Sequence, residues 1–421
     1  PRRPGPPGRV KSEASGLRKT KFVFTSLAHR TTWLRSDFAT SRVLNPGDPD
    51  YPDDSVEVTD TEYFKSDYGE RTEENQKKLV EDSFEQIIAE EREGAALLYN
   101  KDNALPLSKD ERISFFGHAS VDPVVRGSSA GQDPMEGYRI NFPTAMKAAG
   151  FEVNEELTAA LEASPITRGK DDFWWMDSSI TTHGIADGEE DISFYTDDLK
   201  KSWRDYQGGT AIMTIARCGQ EEYDMQVDNL GTGRSAMALI DEEIDLLNML
   251  KEEKAAGYFD KIIVLVNTGS PLEVGWLDEY DVDACMYVGP IGAQGAHGVV
   301  QLLSGEANPS GHLVDTFAVD SLSSPAVVNA NGNTPEYLNG DEVEAAVMGK
   351  TDPREGTGKY MSFQAEGIYV GYKYYETRYE DTVYEQGGAS DPVGASGGAS
   401  QWNYADEVSY PFGYGLSYTT F

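Results

Sequence analysis

The 421 residues can bury one large core or two to three smaller ones, and 39% hydrophobic against 26% charged residues is an ordinary globular balance. Seventy-two acidic against 36 basic residues leave a formal net charge of −36, a field that repels nucleic acid and anionic membrane surfaces and favours neutral or cationic ligands. Two cysteines, Cys218 and Cys285, are too few for a disulfide framework, the five histidines show no metal-ligand spacing, and no apolar run reaches the ~18 residues a bilayer span requires. No cofactor, metal, nucleic acid or membrane is therefore expected. No signal peptide is visible, which favours a bacterial-type cytoplasmic setting.

Residues 1–45 read as a basic disordered or foreign leader: up to Arg35, nine Lys and Arg residues face the single acid Glu13, after a Pro/Gly-rich start. An acidic, Pro-rich linker is expected over 46–71. Structure is expected from Thr72, where Glu73 and Glu74 suit a helix N-terminus and Val80, Phe84, Ile87 and Ile88 share one face. Alternating units follow. Ile113–Gly117 is a short buried strand, followed by the GSSAG loop at 127–131 and a helix near Thr144–Ala149. Ala211–Ala216 is a second strand, and Ile244, Leu247 and Leu250 mark an amphipathic helix. Lys261–Asn267 (KIIVLVN) is a β-branched run that asks for burial on both faces, as in a parallel sheet. Ala284–Gly289 is a further strand and Ala293–Leu303 a helix. The alternation predicts an α/β fold, a layered sandwich with a mostly parallel sheet flanked by helices, over 72–421. The Gly/Ala/Ser tract at 387–400 reads as a loop or insertion within it.

Parallel sheets gather ligands at the carboxyl ends of their strands. After AIMTIA comes Arg217-Cys218-Gly219-Gln220-Glu221-Glu222-Tyr223-Asp224, four charges in eight residues. Two readings stand side by side: a solvated acidic loop with one ion pair, or a loop in which one carboxyl is a general acid with its pKa raised by neighbouring charge. Phe173-Trp174-Trp175 lies in an acidic, polar stretch; its tryptophans either stack on sugar faces or cap a core edge. GSSAG lacks both P-loop and GxGxxG spacing, and no GxSxG elbow is present.

Five segments carry a resemblance that runs, in order, from residue 93 to 421. EGAALLYNKDNALPL (93–107) resembles the EGxVLLKNxxxxLPL signature of glycoside hydrolase family 3. Glu273-Val274-Gly275-Trp276-Leu277 after NTGSP, Ala307-Asn308-Pro309-Ser310-Gly311-His312-Leu313, EGIYVGYKYYETRYED (366–381) and YPFGYGLSYTTF (410–421) are similar to its later motifs, with His312 where the family usually has Arg. The resemblance implies the family's α/β-sandwich domain, which in many β-glucosidases supplies the acid/base Glu while a (β/α)8 barrel supplies a nucleophilic Asp. Such enzymes usually retain configuration, which brings the two carboxyls to about 5–5.5 Å. The family pattern R-x-(S/G)-G-E-G-x-D laid on Arg217–Asp224 puts Glu221 at the acid/base position, with Glu222 as fallback. Gln220 and Glu222 replace glycines there, which restricts the backbone. Arg217, Asp224, Trp174 and Trp175 are the expected sugar-binding residues.

The 92 residues before the first motif cannot form a barrel of about 250 residues. Ser36-Asp37-Phe38 resembles the nucleophile motif but lies in the leader and is set aside. The reading is a reverse-domain-order enzyme, with its fibronectin-like and barrel domains outside this sequence and a carbohydrate substrate. A non-catalytic carbohydrate-binding module or an inactive fragment is the alternative.

Overall fold

The computed structural model describes Tyr68 and residues 72–125, 136–166, 189–217, 234–328, 338–339, 342 and 366–419. The leader, most of the linker and the GSSAG loop lie outside the described residues. Every element below belongs to the unit Glu70–Phe421.

Helix α1 (Glu73–Gly94) starts where its chemistry demands: the Thr72 hydroxyl accepts the Asn75 N–H, acids fill the first turn and Arg92 the last. The chain then enters strand β1 (Ala96–Asn100) and, after a turn, β2 (Arg112–Phe116). Helix α2 (Phe142–Ala148) is capped by the Asn141 side chain, and a short β3 (Glu152–Val153) precedes α3 (Glu155–Glu162). Next come α4 (Asp197–Arg204), β4 (Gly209–Arg217), α5 (Asp241–Ala255) and β5 (Phe259–Thr268). Strand β6 (Ala284–Tyr287) and helix α6 (Ala296–Leu303) complete the main body.

The six strands form one sheet in the order β1–β6–β5–β4–β2–β3. Only β1 runs antiparallel to its neighbour; β6, β5, β4, β2 and β3 are mutually parallel. Strand periodicity divides the core into two layers. Ile262, Val264 and Val266 of β5 join Phe116, Met213 and Ile215 on the face covered by α3, α4 and α5. Ile263 and Leu265 join Phe115, Ile212 and Met286 on the face covered by α2 and α6. Each fully buried aliphatic side chain contributes about 1.5–3 kcal/mol relative to exposure. On the first face Phe116 meets the rings of Trp203 and Phe259 edge-on at 5.2 and 5.6 Å. Helix α1 forms an outer layer on α6, close enough that a Cβ on Gly298 would lie 2.6 Å from the Ile88 carbonyl oxygen.

A C-terminal arm completes the unit: β7 (Phe317–Ala318) pairs antiparallel with β8 (Val408–Tyr410), and helix α7 (Tyr372–Val383) packs Tyr375 with Ala318 and Trp402 in a small satellite core. The Leu416 N–H donates to the Leu97 carbonyl (2.8 Å), so the arm returns to the edge strand β1 and occupies part of its free rim.

The layered α/β sandwich with a mostly parallel sheet is the observed fold. Each expected strand and helix is present with shifted ends: the helix expected from Ala293 begins at Ala296, after positive-φ turns at Gly289 and Gly292. Strands β1, β3, β7 and β8 and helices α3, α4 and α7 are not among the elements expected from the sequence. The 387–400 tract is a chain of turns with one 3-10 segment at Ser396–Gly398, and it is tied down: buried Glu407 accepts the Ser396 N–H, and Arg378 donates to the carbonyls of Ala389, Asp391 and Val393. Among the described residues no helix is long and apolar enough to cross a membrane.

Candidate active site at the carboxyl edge of the sheet

From β2 the chain crosses outward to β3, then returns to place β4 on the other side of β2. This reversal makes the carboxyl ends of β2 and β4 the topological switch point, where an α/β sheet opens a crevice. The two ends approach closely. A Cβ on Gly117, which has φ 78°, would lie 2.7 Å from the Thr214 carbonyl oxygen, and Ser120 Oγ is 2.8 Å from Thr214 Oγ1.

Arg217 ends β4 and is 1% exposed. Its guanidinium forms a two-point ion pair with Glu243, Nη1 to Oε1 at 2.6 Å and Nη2 to Oε2 at 2.8 Å. Nε donates to the Ala236 carbonyl, Nη2 to that of Ala238 and Nη1 to that of Ala216, at 2.7, 2.7 and 2.8 Å. All five N–H donors of the side chain are thereby used inside the chain. Glu243 adds a second task, accepting the Ile240 N–H (3.0 Å) at the start of α5. A buried pair satisfied this fully is costly to break from one side, about 3–5 kcal/mol.

Beside it lies a second buried polar group. His118 Nδ1 is 3.0 Å from Glu190 Oε1, while Glu189 accepts the backbone N–H groups of His118 (3.2 Å) and Glu190 (3.0 Å). Burial and the adjacent Glu190 charge push the Glu189 carboxyl well above the usual carboxylate range, which favours its protonated form. Burial and the same two carboxylates raise the Tyr195 hydroxyl as well. At the end of β5, buried Asn267 binds the Val124 N–H and carbonyl at 2.6 and 3.0 Å, fastening the loop after β2 to the sheet. Glu273 links three segments: its N–H donates to the Met237 carbonyl, its carboxylate accepts from the N–H and hydroxyl of Ser321, and its carbonyl accepts the Trp276 indole. Burial raises its pKa.

Of the expected site residues only Arg217 falls among those described; Glu221, Glu222, Asp224, Trp174 and Trp175, like Cys218, lie outside them. The expectation that Arg217 contacts sugar meets a different geometry, because the side chain has no donor left for one. Its place is structural, at the root of the acidic segment. Glu243, Glu189, Glu190 and the bridging role of Glu273 were not anticipated. The one available signal was the acidic start of α5, Asp241-Glu242-Glu243, which reads as a helix N-terminus and hides a buried partner. Cys285 is buried, and burial raises its thiol pKa, so it is poorly nucleophilic. Among the described residues no group of three or more His, Cys, Asp or Glu is arranged to hold a metal ion.

Residues 95–418 match the family model of the glycosyl hydrolase family 3 C-terminal domain. The chain belongs to glycosyl hydrolase family 3. Its family 3 relatives include a beta-glucosidase of Ruminococcus albus, 26% identical over 78% of this chain and 27% of its own length. Beta-glucosidase A of Butyrivibrio fibrisolvens is 26% identical over 78% of this chain and 34% of its own. Among solved structures, beta-glucosidase 3B from Thermotoga neapolitana in complex with alpha-D-glucose is 25% identical, with a TM-score of 0.52, covering 82% of this chain and 39% of that one. A beta-glucosidase from Paenibacillus barengoltzii superposes with a TM-score of 0.55 at 24% identity, over 80% of this chain and 30% of that one, and supports the fold. This family 3 chain thus spans about a third of the length of the curated relatives it matches.

Proposed function

We propose that the chain is the acid/base-bearing part of a retaining, β-glucosidase-like glycoside hydrolase acting on terminal non-reducing β-linked sugars. Glu221 is the acid/base, Glu222 the fallback, and the Asp nucleophile belongs to a (β/α)8 barrel outside this sequence. The observation that carries this reading is the placement of Arg217. One guanidinium holds Ala216, just before residues 218–233, and Ala236 and Ala238, just after them. The acidic segment is rooted on both sides in a buried, fully bonded anchor at the switch point. A catalytic carboxyl needs such support, because small misplacement of a proton donor is costly in rate.

In this scheme Glu221 gives its proton to the departing glycosidic oxygen while the barrel Asp attacks the anomeric carbon. The Glu221 carboxylate then takes a proton from the water that releases the sugar. The relatives' names supply the β-glucosidase class, and the share of their length covered here is in keeping with further domains elsewhere.

The test compares the isolated chain with the native polypeptide that carries the barrel, using aryl β-glucosides. Negligible turnover by the former and turnover by the latter are expected, with Glu221→Gln lowering kcat about 100-fold or more. Full activity of Glu221→Gln together with loss in Glu222→Gln would move the assignment to Glu222. Unchanged turnover in both variants would end it.

A further inference from the structure

We infer that the groove between α7 and the loop that follows it is a binding site for a neutral oligosaccharide. This choice of ligand class rests on the sugar chemistry proposed above, but the site itself stands on residues that the proposed reaction does not use. The groove has a volume of about 780 Å³, within the range of small-molecule sites. One wall is the face of α7 carrying Tyr374, Thr377, Arg378 and Asp381, and Glu366 and Tyr369 also line it.

The rim is pre-organised. Arg378 donates Nε to the Ala389 carbonyl (2.8 Å), Nη2 to that of Asp391 (2.8 Å) and Nη1 to that of Val393 (2.9 Å) and to the Tyr374 hydroxyl. Its guanidinium also lies 4.7 Å from the centre of the Trp402 ring. The loop therefore needs little ordering on binding, which preserves affinity. Gly394 fits only because it lacks a side chain: a Cβ would lie 2.9 Å from the Ser323 carbonyl oxygen and 3.2 Å from the Tyr374 hydroxyl.

The chemistry of the walls selects the ligand. Tyr369 lines the groove and is 45% exposed, an aromatic side chain of the kind that packs on the apolar C–H face of a pyranose. Asp381 and Glu366 offer carboxylate oxygens to sugar hydroxyls, and Glu366 Oε2 is buried without a hydrogen-bond partner. Among the described lining residues the one cation, Arg378, is bonded to the carbonyls of the rim, so an anionic ligand meets the carboxylates of Glu366, Asp381 and Asp391 with no second described cation to offset them. Apolar faces edged with hydroxyl donors match both requirements.

Isothermal titration of the full 421-residue chain with cellotetraose, xylotetraose and laminaritetraose tests the site. Saturable, salt-insensitive binding of at least one is expected, weakened about tenfold or more by Tyr369→Ala. Thr377→Trp, which fills the groove from the helix, should abolish binding in a chain whose thermal unfolding matches the wild type. Glu221→Gln should bind as the wild type does, so a wrong acid/base assignment leaves this result standing. Failure of all three glycans to bind would overturn the inference, as would wild-type affinity in both groove variants. Binding of a cationic chitosan tetramer, with loss in salt and no binding of the neutral glycans, would equally overturn it.

Discussion

The parallel sheet and the C-terminal arm of the same unit are held by different physics. In the sheet, β4 and β5 place almost every side chain under helices on both faces, and stability comes from apolar burial completed by a few buried polar locks such as Arg217–Glu243. In the arm, the satellite core has three buried members among the described residues, Ala318, Tyr375 and Trp402, and the chain is kept in place by polar clamps and ring contacts. Tyr372 and Phe412 stack there at 4.3 Å. The teaching is that one family domain combines a cooperative scaffold with a lightly held appendage, and each should respond to substitution in its own way.

The largest effect is expected at the lock. Arg217→Ala leaves Glu243 buried without its partner and removes three carbonyl contacts, and should lower the unfolding free energy by about 3–5 kcal/mol in urea titration. A loss below about 1 kcal/mol would mean that the pair is not the lock described here. Next is Leu265→Ala in β5, where a fully buried side chain becomes a cavity and about 2–5 kcal/mol should be lost in the same titration.

A smaller, pH-dependent effect sharpens the picture of the outer α1 layer. Burial alone holds the Glu91 carboxyl well above its ordinary range. The folded state therefore keeps a proton that the unfolded state releases above about pH 4.3, so this residue's contribution falls as pH rises from there towards the folded pKa. Glu91→Gln should match the wild type near pH 4 and exceed it increasingly at higher pH, read as the urea midpoint at pH 5 and pH 8. An equal difference at both values would contradict the assignment. The smallest global effect is expected in the arm. Arg378→Ala should lower the global unfolding free energy by less than about 1 kcal/mol, while amide exchange at Ala389, Asp391 and Ala395 speeds up about tenfold or more. Equal loss of protection across β4 and β5 would erase the distinction between the two regions.

The same distinction decides what could be read from the residues alone. Strand β5 was legible because KIIVLVN is a β-branched run that only two-sided burial satisfies. Strand β1 was not, since ALLYN is short and its antiparallel pairing with β6 depends on a partner almost 190 residues away. Helix α7 was hidden because its tyrosines and acids show little period and Tyr375 is its one buried residue. At the site, the charge cluster from Arg217 to Asp224 was visible, but the side chain that neutralises Arg217 is 26 residues further on and reads as an ordinary helix start. His118 and Glu190 are 72 residues apart, and no spacing rule joins them. Pairings made by the fold across a crevice leave no local signature, and within the visible charge cluster it was the family resemblance that singled out Glu221 as the candidate.

Glu221, in the segment rooted by Arg217, is the proposed acid/base. The most direct measurement is azide rescue of Glu221→Ala in the native polypeptide, using an aryl β-glucoside with a good leaving group. Such a substrate forms the glycosyl–enzyme without acid assistance, so only its breakdown should be slow. Low turnover that rises with azide concentration and yields the β-glucosyl azide is expected, in a variant that unfolds at the wild-type midpoint. Turnover like that of the wild type without azide, or low turnover that azide does not raise, would contradict it.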